Sequence, residues 1–179
     1  MFNSLAPVFI NALTAFLAAF LTFKVATRME RHKESRTRQA IAIVLQAEMI
    51  RLHNKIKDHN NLLTAYAGQV TNQINAPEAL KYVPINMDND FVVYRSCIKE
   101  IGLLNTESAY GTVYCYGNMT DFLKMQDKFL RDLPDLANSN LLGLKAADLG
   151  AQEMALARHI ERVVPLLAAQ SEALPFQLQ

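Results

Sequence analysis

Four histidines, two cysteines and a cluster of tyrosines are the residues of this chain best equipped to bind or react. Their spacing decides how much they can do. His53 and His59 are six apart, which on a helix puts them on different faces and makes them poor joint metal ligands. Glu153 and His159 share that spacing and that fault. Cys97 and Cys115 are eighteen apart and form no CxxC pair, which reads as two reduced thiols in a helical core. Cys115 falls on an apolar stripe, the setting of an inert thiol. Ser108 and Ser139 sit near expected helix starts, where hydroxyls cap. There is no HExxH, P-loop or GxGxxG pattern. The expectation is a protein that is not an enzyme, with no metal and no cofactor.

The stretch "AYGTVYCYGNM", residues 109–119, is less ordinary. Tyr110, Tyr114 and Tyr116 fall within seven residues, flanked by Gly111 and Gly117. A glycine inside a helix costs about 1 kcal/mol relative to alanine, so these two imply a close helix approach or a space left for a ligand. Tyrosine rings can stack on a nucleobase, and Arg95 and Lys99 on the preceding helix could meet a phosphate. The alternative is a tight helix crossing rimmed by tyrosines. Tyr114 is one position off the apolar stripe, so its ring is expected to face outward.

The elements that must position these residues begin with "LAPVFINALTAFLAAFLTFKVA", residues 5–26. This length of apolar helix matches the hydrocarbon thickness of a bilayer. A cleaved signal peptide would want a positive n-region, and "MFNSLAP" has no charged side chain. At its end and directly after it come Lys24, Arg28, Arg31, Lys33, Arg36 and Arg38 against two glutamates. The positive-inside rule then places the N-terminus outside and the rest in the cytoplasm, with the collar on anionic headgroups of an inner membrane. Asn11, Ala15, Ala18, Ala19 and Thr22 form a small and polar face suited to span association, hence to a homo-oligomer.

Beyond the collar the apolar spacing is helical throughout. Ala42, Leu45, Met49, Leu52, Ile56, His59, Leu63, Tyr66 and Val70 alternate steps of three and four. No Pro or Gly interrupts residues 8–67, so the span can run on as one continuous helix, with "HNN", residues 59–61, as the first place to expect a break. Residues 75–90 read as the main loop, with Asp88 or Asp90 capping a helix whose apolar positions Phe91, Tyr94, Ile98 and Ile101 share a face and which ends at a left-handed Gly102. Asn105 should cap the next helix, striped by Thr112, Cys115, Met119, Phe122, Gln126, Phe129 and Leu133 and stopped by Pro134. The last helix, from about Ser139 to Val164, carries Leu142, Ala146, Leu149, Leu156, Ile160, Val163 and Leu167, with Pro165 kinking or ending it. The fold class predicted is all-α, a single N-terminal transmembrane helix continuing into a cytosolic bundle of about four helices. The expected division is a span at 1–26, a basic neck and long helix at 27–60, the bundle at 61–170 and a tail at 171–179, in which Phe176 could dock.

Charge follows the same division. Residues 24–60 hold nine Lys or Arg and four Asp or Glu, whereas residues 61–179 hold nine and thirteen. A basic neck carries a mildly acidic body, so direct DNA binding is not expected. The segment "YRSCIKEIGLLNTESAYGTVYCY", residues 94–116, resembles a pattern in uncharacterised bacterial and phage single-pass membrane proteins. The matching residues are Ile101, Gly102, Leu103, Leu104, Val113 and Tyr116, while Cys115 stands where an aromatic is usual. That resemblance implies a helix–turn–helix and brings no catalytic residue. The layout is also similar to that of CRISPR-associated and related membrane effectors that sense cyclic nucleotides. It implies a membrane-acting effector of prokaryotic antiviral defence, triggered by a nucleotide second messenger or a cytosolic protein. A passive anchor or accessory subunit is the alternative, and a phage pore-former a further one.

Overall fold

The first glycine of the chain is Gly68, and the only proline before residue 77 is Pro7. With no breaker between them, residues Leu5–Val70 form one helix, α1, of 66 residues, about 99 Å long at 1.5 Å per residue. The computed structural model describes residues 5–71, 81–87, 90–137, 139 and 141–172, and side chains from 16 to 171. No break occurs at 59–61. The polar pair His59 and Asn60 stays helical because both side chains find partners on a neighbouring helix.

All nine residues of the expected α1 seam, Ala42 to Val70, are buried. They pack against α4 (Leu142–Glu172), which runs antiparallel to α1. Gln39 bonds the Ser171 carbonyl at one end, and Gly143 lies against Thr71 at the other, where an added Cβ would come within 2.7 Å of the Thr71 Cα. All seven expected α4 core positions are buried as well. Each fully buried leucine or isoleucine on these stripes contributes roughly 1.5–3 kcal/mol.

The third long helix, α3 (Thr106–Leu136), buries all seven residues of its stripe and runs antiparallel to α4. Asn105 caps it as expected, its side-chain oxygen accepting from the Ser108 amide at 2.8 Å. Neither Pro134 nor Pro165 stops its helix. Both prolines are on exposed faces, where water can take the carbonyl that the missing N–H leaves free.

Between α1 and α3 runs an extended strap, residues 81–87, followed by α2 (Val92–Cys97) and a 3-10 turn at Ile101–Leu103. Strap and α2 descend where a bundle would have its second helix, so the chain reads up, down, up, down with one extended corner. Tyr82, Ile85 and Met87 point inward and are buried. Three sequence expectations are corrected here. Asp90 does not cap α2, because Arg51 and Lys55 hold its carboxylate; Asp88 lies outside the described residues. Ile98 is exposed, since α2 is only six residues long and its face turns away before reaching 98. Gly102 is not left-handed: the chain leaves the turn through Leu104 in an extended conformation.

All described elements are helical apart from turns and the strap. Among the described residues no helix is long and apolar enough to cross a membrane. The expected span at 5–26 reaches into residues 5–15, whose side chains lie outside the description, as do Asn11, Ala15 and the tail with Phe176.

Candidate functional site

The tyrosine cluster does not form one site. Tyr114 and Tyr116 are two positions apart on α3, so they face nearly opposite ways. Tyr116 is buried, with its hydroxyl donating to the Glu48 carboxylate of α1. Its ring stacks on Tyr94 at 3.8 Å between centroids and meets Phe91 edge-on at 5.5 Å. Burial first, and then the hydrogen bond and charge of Glu48, push its phenol well above the ordinary range. It is a core residue.

Tyr110 and Tyr114 lie on the outer side, stacked with ring planes 15° apart, and Tyr114 meets His159 of α4 edge-on at 5.2 Å. Both are exposed, at 69% and 45%, so Tyr114 faces outward as expected. Gly111 explains the crossing beside them: an added Cβ would come within 2.9 Å of Val163 Cγ2. Gly117 has open space around it. Arg95 lies over the Phe91 ring at 6.0 Å, on the Tyr116 side of α3, and Lys99 is exposed in the turn after α2. Arg95 is therefore on the other side of α3 from Tyr110 and Tyr114.

The basic collar is exposed at all six positions. At 100° per residue, Lys24, Arg28, Arg31 and Arg38 share one sector of α1, with Lys33 and Arg36 on the other side. Lys24 lies over the Phe20 ring at 5.1 Å. N-terminal to it, Phe16, Leu17, Phe20, Leu21 and Phe23 are all exposed, and so is Val25. Ala18, Ala19 and Thr22 are exposed too, and the Thr22 hydroxyl donates to the Ala18 carbonyl of its own helix at 2.8 Å.

The polar groups that the structure does bring together are buried, and sequence reasoning missed most of them. Glu48 accepts from the Val93 and Tyr94 amides at 2.9 and 3.0 Å and from the Tyr116 hydroxyl. It thus supplies from α1 the cap that α2 lacks locally. Gln126 of α3 pairs with the Ile85 backbone in both directions, at 3.0 Å each, and accepts from the Tyr82 hydroxyl. His59 contacts Glu153 Oε1 through Nδ1 at 2.6 Å and the Val83 carbonyl through Nε2 at 2.8 Å. Asn60 Nδ2 donates to the Gly150 carbonyl and, at 3.4 Å, to Glu153 Oε2. Glu153 is fully buried. It sits in register with Leu149, Leu156 and Ile160, and a carboxylate on an apolar stripe was the sequence signal for it.

The Asp90 carboxyl is held below its usual range: burial opposes this, and the hydrogen bonds and charges of Lys55 and Arg51 outweigh it. Cys115 is buried, and burial pushes its thiol up to about 12, the setting of an unreactive thiol. Cys97 is half-buried and both cysteines are free. Among the described residues no group of three His, Cys, Asp or Glu could hold a metal. A groove between α3 and α4 has a volume of about 230 Å³ and is lined by Met125, Lys128, Phe129, Asp132, Lys145 and Asp148 among others. That is below the size of a typical small-molecule site. Comparison with protein-family models, curated proteins and solved structures gives no match.

Proposed function

We propose that this chain is a membrane-tethered helical interaction module. Residues 5–26 cross the inner membrane with the N-terminus outside, the collar from Lys24 to Arg38 rests on the cytoplasmic headgroups, and the bundle works in the cytoplasm. The observation that carries this reading is the exposed apolar surface at the start of α1. Phe16, Leu17, Phe20, Leu21, Phe23 and Val25 are all exposed and spread over about 200° of the helix, with the smaller Ala18, Ala19 and Thr22, also exposed, on the remaining side. So wide an exposed apolar surface calls for an apolar surround, and among the described residues no other element covers it. The following basic run fits the interfacial level of such a span.

The test is flotation of the full chain with anionic vesicles, before and after a high-salt wash, beside a variant lacking residues 1–38. The full chain should stay with the vesicles in high salt, and the truncated chain should remain in solution with the helicity of its bundle intact. A full chain released by salt would show that only the collar binds, and the span reading would fall. A reporter after Gln179 that is active outside the cytoplasm would overturn the orientation.

A second reading, a ligand-triggered membrane effector of antiviral defence, is favoured by one observation: the exposed stacked pair Tyr110 and Tyr114 against His159. Tyr114→Ala that melts normally yet loses function would support it. Early melting with proportionate loss would return the residue to packing, and the effector reading would lose its site.

A further inference from the structure

His59 stands between two acceptors. Its Nδ1 faces Glu153 Oε1 at 2.6 Å and its Nε2 faces the Val83 carbonyl at 2.8 Å. A neutral imidazole has one N–H and can donate to only one of them. If Glu153 is ionised, both contacts are hydrogen bonds only when the imidazole carries two protons. If the imidazole is neutral, Glu153 must be a carboxylic acid donating to Nδ1. Either way the pair holds one proton more than a neutral histidine beside a carboxylate. The arrangement also joins three elements: His59 belongs to α1, Glu153 to α4 and Val83 to the strap.

We propose that the His59–Glu153 pair is a proton-operated latch on the strap: with the extra proton in place residues 81–87 are clasped to the bundle, and its release to solvent leaves one acceptor unpaired and loosens the strap from the groove between α1 and α3. The surroundings fit a device of this kind. Among the described residues, the titratable groups facing His59 are Glu153 from α4 and Tyr82 from the strap, whose ring meets the imidazole edge-on at 6.0 Å. Tyr66 of α1 stands behind Tyr82. From α3, Gln126 and Phe129 reach Tyr82 and carry no charge. Lys81 is the strap's nearest cation in sequence.

Burial by itself would lower the His59 pKa, but the Glu153 hydrogen bond, the Val83 carbonyl and the Glu153 charge together raise it above 6.5. The latch is therefore closed at mildly acid pH and opens as pH rises. Burial lifts the phenols of Tyr66 and Tyr82 and takes Cys115 to about 12. These buried groups keep their protons while the latch opens.

Glu153→Gln separates the proton from the shape. A glutamine amide can donate to Nδ1 of a neutral His59 while its oxygen accepts from Asn60, leaving Nε2–H for Val83. That strap stays clasped whatever the pH. The experiment is amide hydrogen exchange of the full chain in detergent, corrected for intrinsic rates, read at the Ile85 amide that Gln126 holds. Wild type should lose about tenfold in protection between about pH 6 and pH 9, the scale of one partly buried hydrogen bond. Glu153→Gln should change less than about twofold. It keeps His32, His53 and His59 as well as His159, so a pH effect surviving in it would belong elsewhere and would overturn the proposal. So would unchanged protection in wild type. Should the variant fail to fold, nitrogen-15 shifts of the wild-type His59 ring decide alone. A ring with two protons, or one protonated at Nε2 only and accepting at Nδ1, at about pH 6, with a titration above 6.5, upholds the latch; a titration at or below 6.5 sinks it.

Discussion

Glu48 gathers three donors that no neighbour in sequence could have announced: two amides of α2 and the hydroxyl of Tyr116. Removing one donor from a buried carboxylate costs more than removing a hydroxyl at the surface. Tyr116→Phe should therefore lower stability by about 1–3 kcal/mol, whereas Tyr114→Phe keeps the ring contacts and should change it by less than about 0.5 kcal/mol. Chemical denaturation of both variants checks the contrast, and equal losses would contradict the division between core and surface tyrosines. The opposite case is Thr112, whose buried hydroxyl has no hydrogen-bond partner among the described residues. Thr112→Val removes that group at nearly constant volume and should raise stability by about 1 kcal/mol. A lower melting temperature would show that the hydroxyl is satisfied after all. Of these residues, Thr112 was legible as a stripe position. Glu48 was not, because its partners lie 45 and 68 residues away.

At the level of elements, periodicity was the readable signal. Three core stripes, on α1, α3 and α4, came from spacings of three and four, and the Asn105 cap from its place before a helix. The strap was unreadable for the same reason. Tyr82, Ile85 and Met87 anchor an extended segment whose partners are side chains on α1 and α3, and such a segment has no period. Helix ends were misread where long-range groups replaced local caps, as Glu48 does for α2, or where a proline faced solvent. The two glycines of α3 carry the element-scale prediction. Both should gain about 1 kcal/mol in helix propensity as alanine. Gly117→Ala, in open space, should realise that gain. Gly111→Ala must push Val163, a residue with no flexible end, and should be destabilising by about 1–3 kcal/mol. Thermal melts of the pair should shift in opposite directions; a shared sign would mean that α3 and α4 are free to separate.

For the whole molecule, two ionic sites among the described residues predict how stability varies with pH. The Asp90 carboxyl is depressed below its usual 3.8, so its contribution is present above 3.8 and lost as pH falls through the lower folded value. The His59 pKa is raised, so its contribution is complete below 6.5 and lost as pH rises through the folded value. Stability should form a plateau between those limits. Midpoints of urea unfolding across pH measure this, and a midpoint still climbing above pH 6.5 would contradict the His59 assignment. Salt should erode the acid limb more than the alkaline one, since Arg51 and Lys55 are partly exposed while the His59–Glu153 pair is not.

The unbroken course of α1 has a geometric consequence of its own. A helix that enters the bundle without a hinge fixes the compass bearing of its far end relative to the body. Adding one residue between Arg38 and Gln39 would turn everything N-terminal of it by about 100°, and adding seven would bring it back to within about 20°. The face that the N-terminal segment presents is thus clocked to the face that the bundle presents. Whatever surface one end offers a partner is thereby held in phase with the surface that the other end offers.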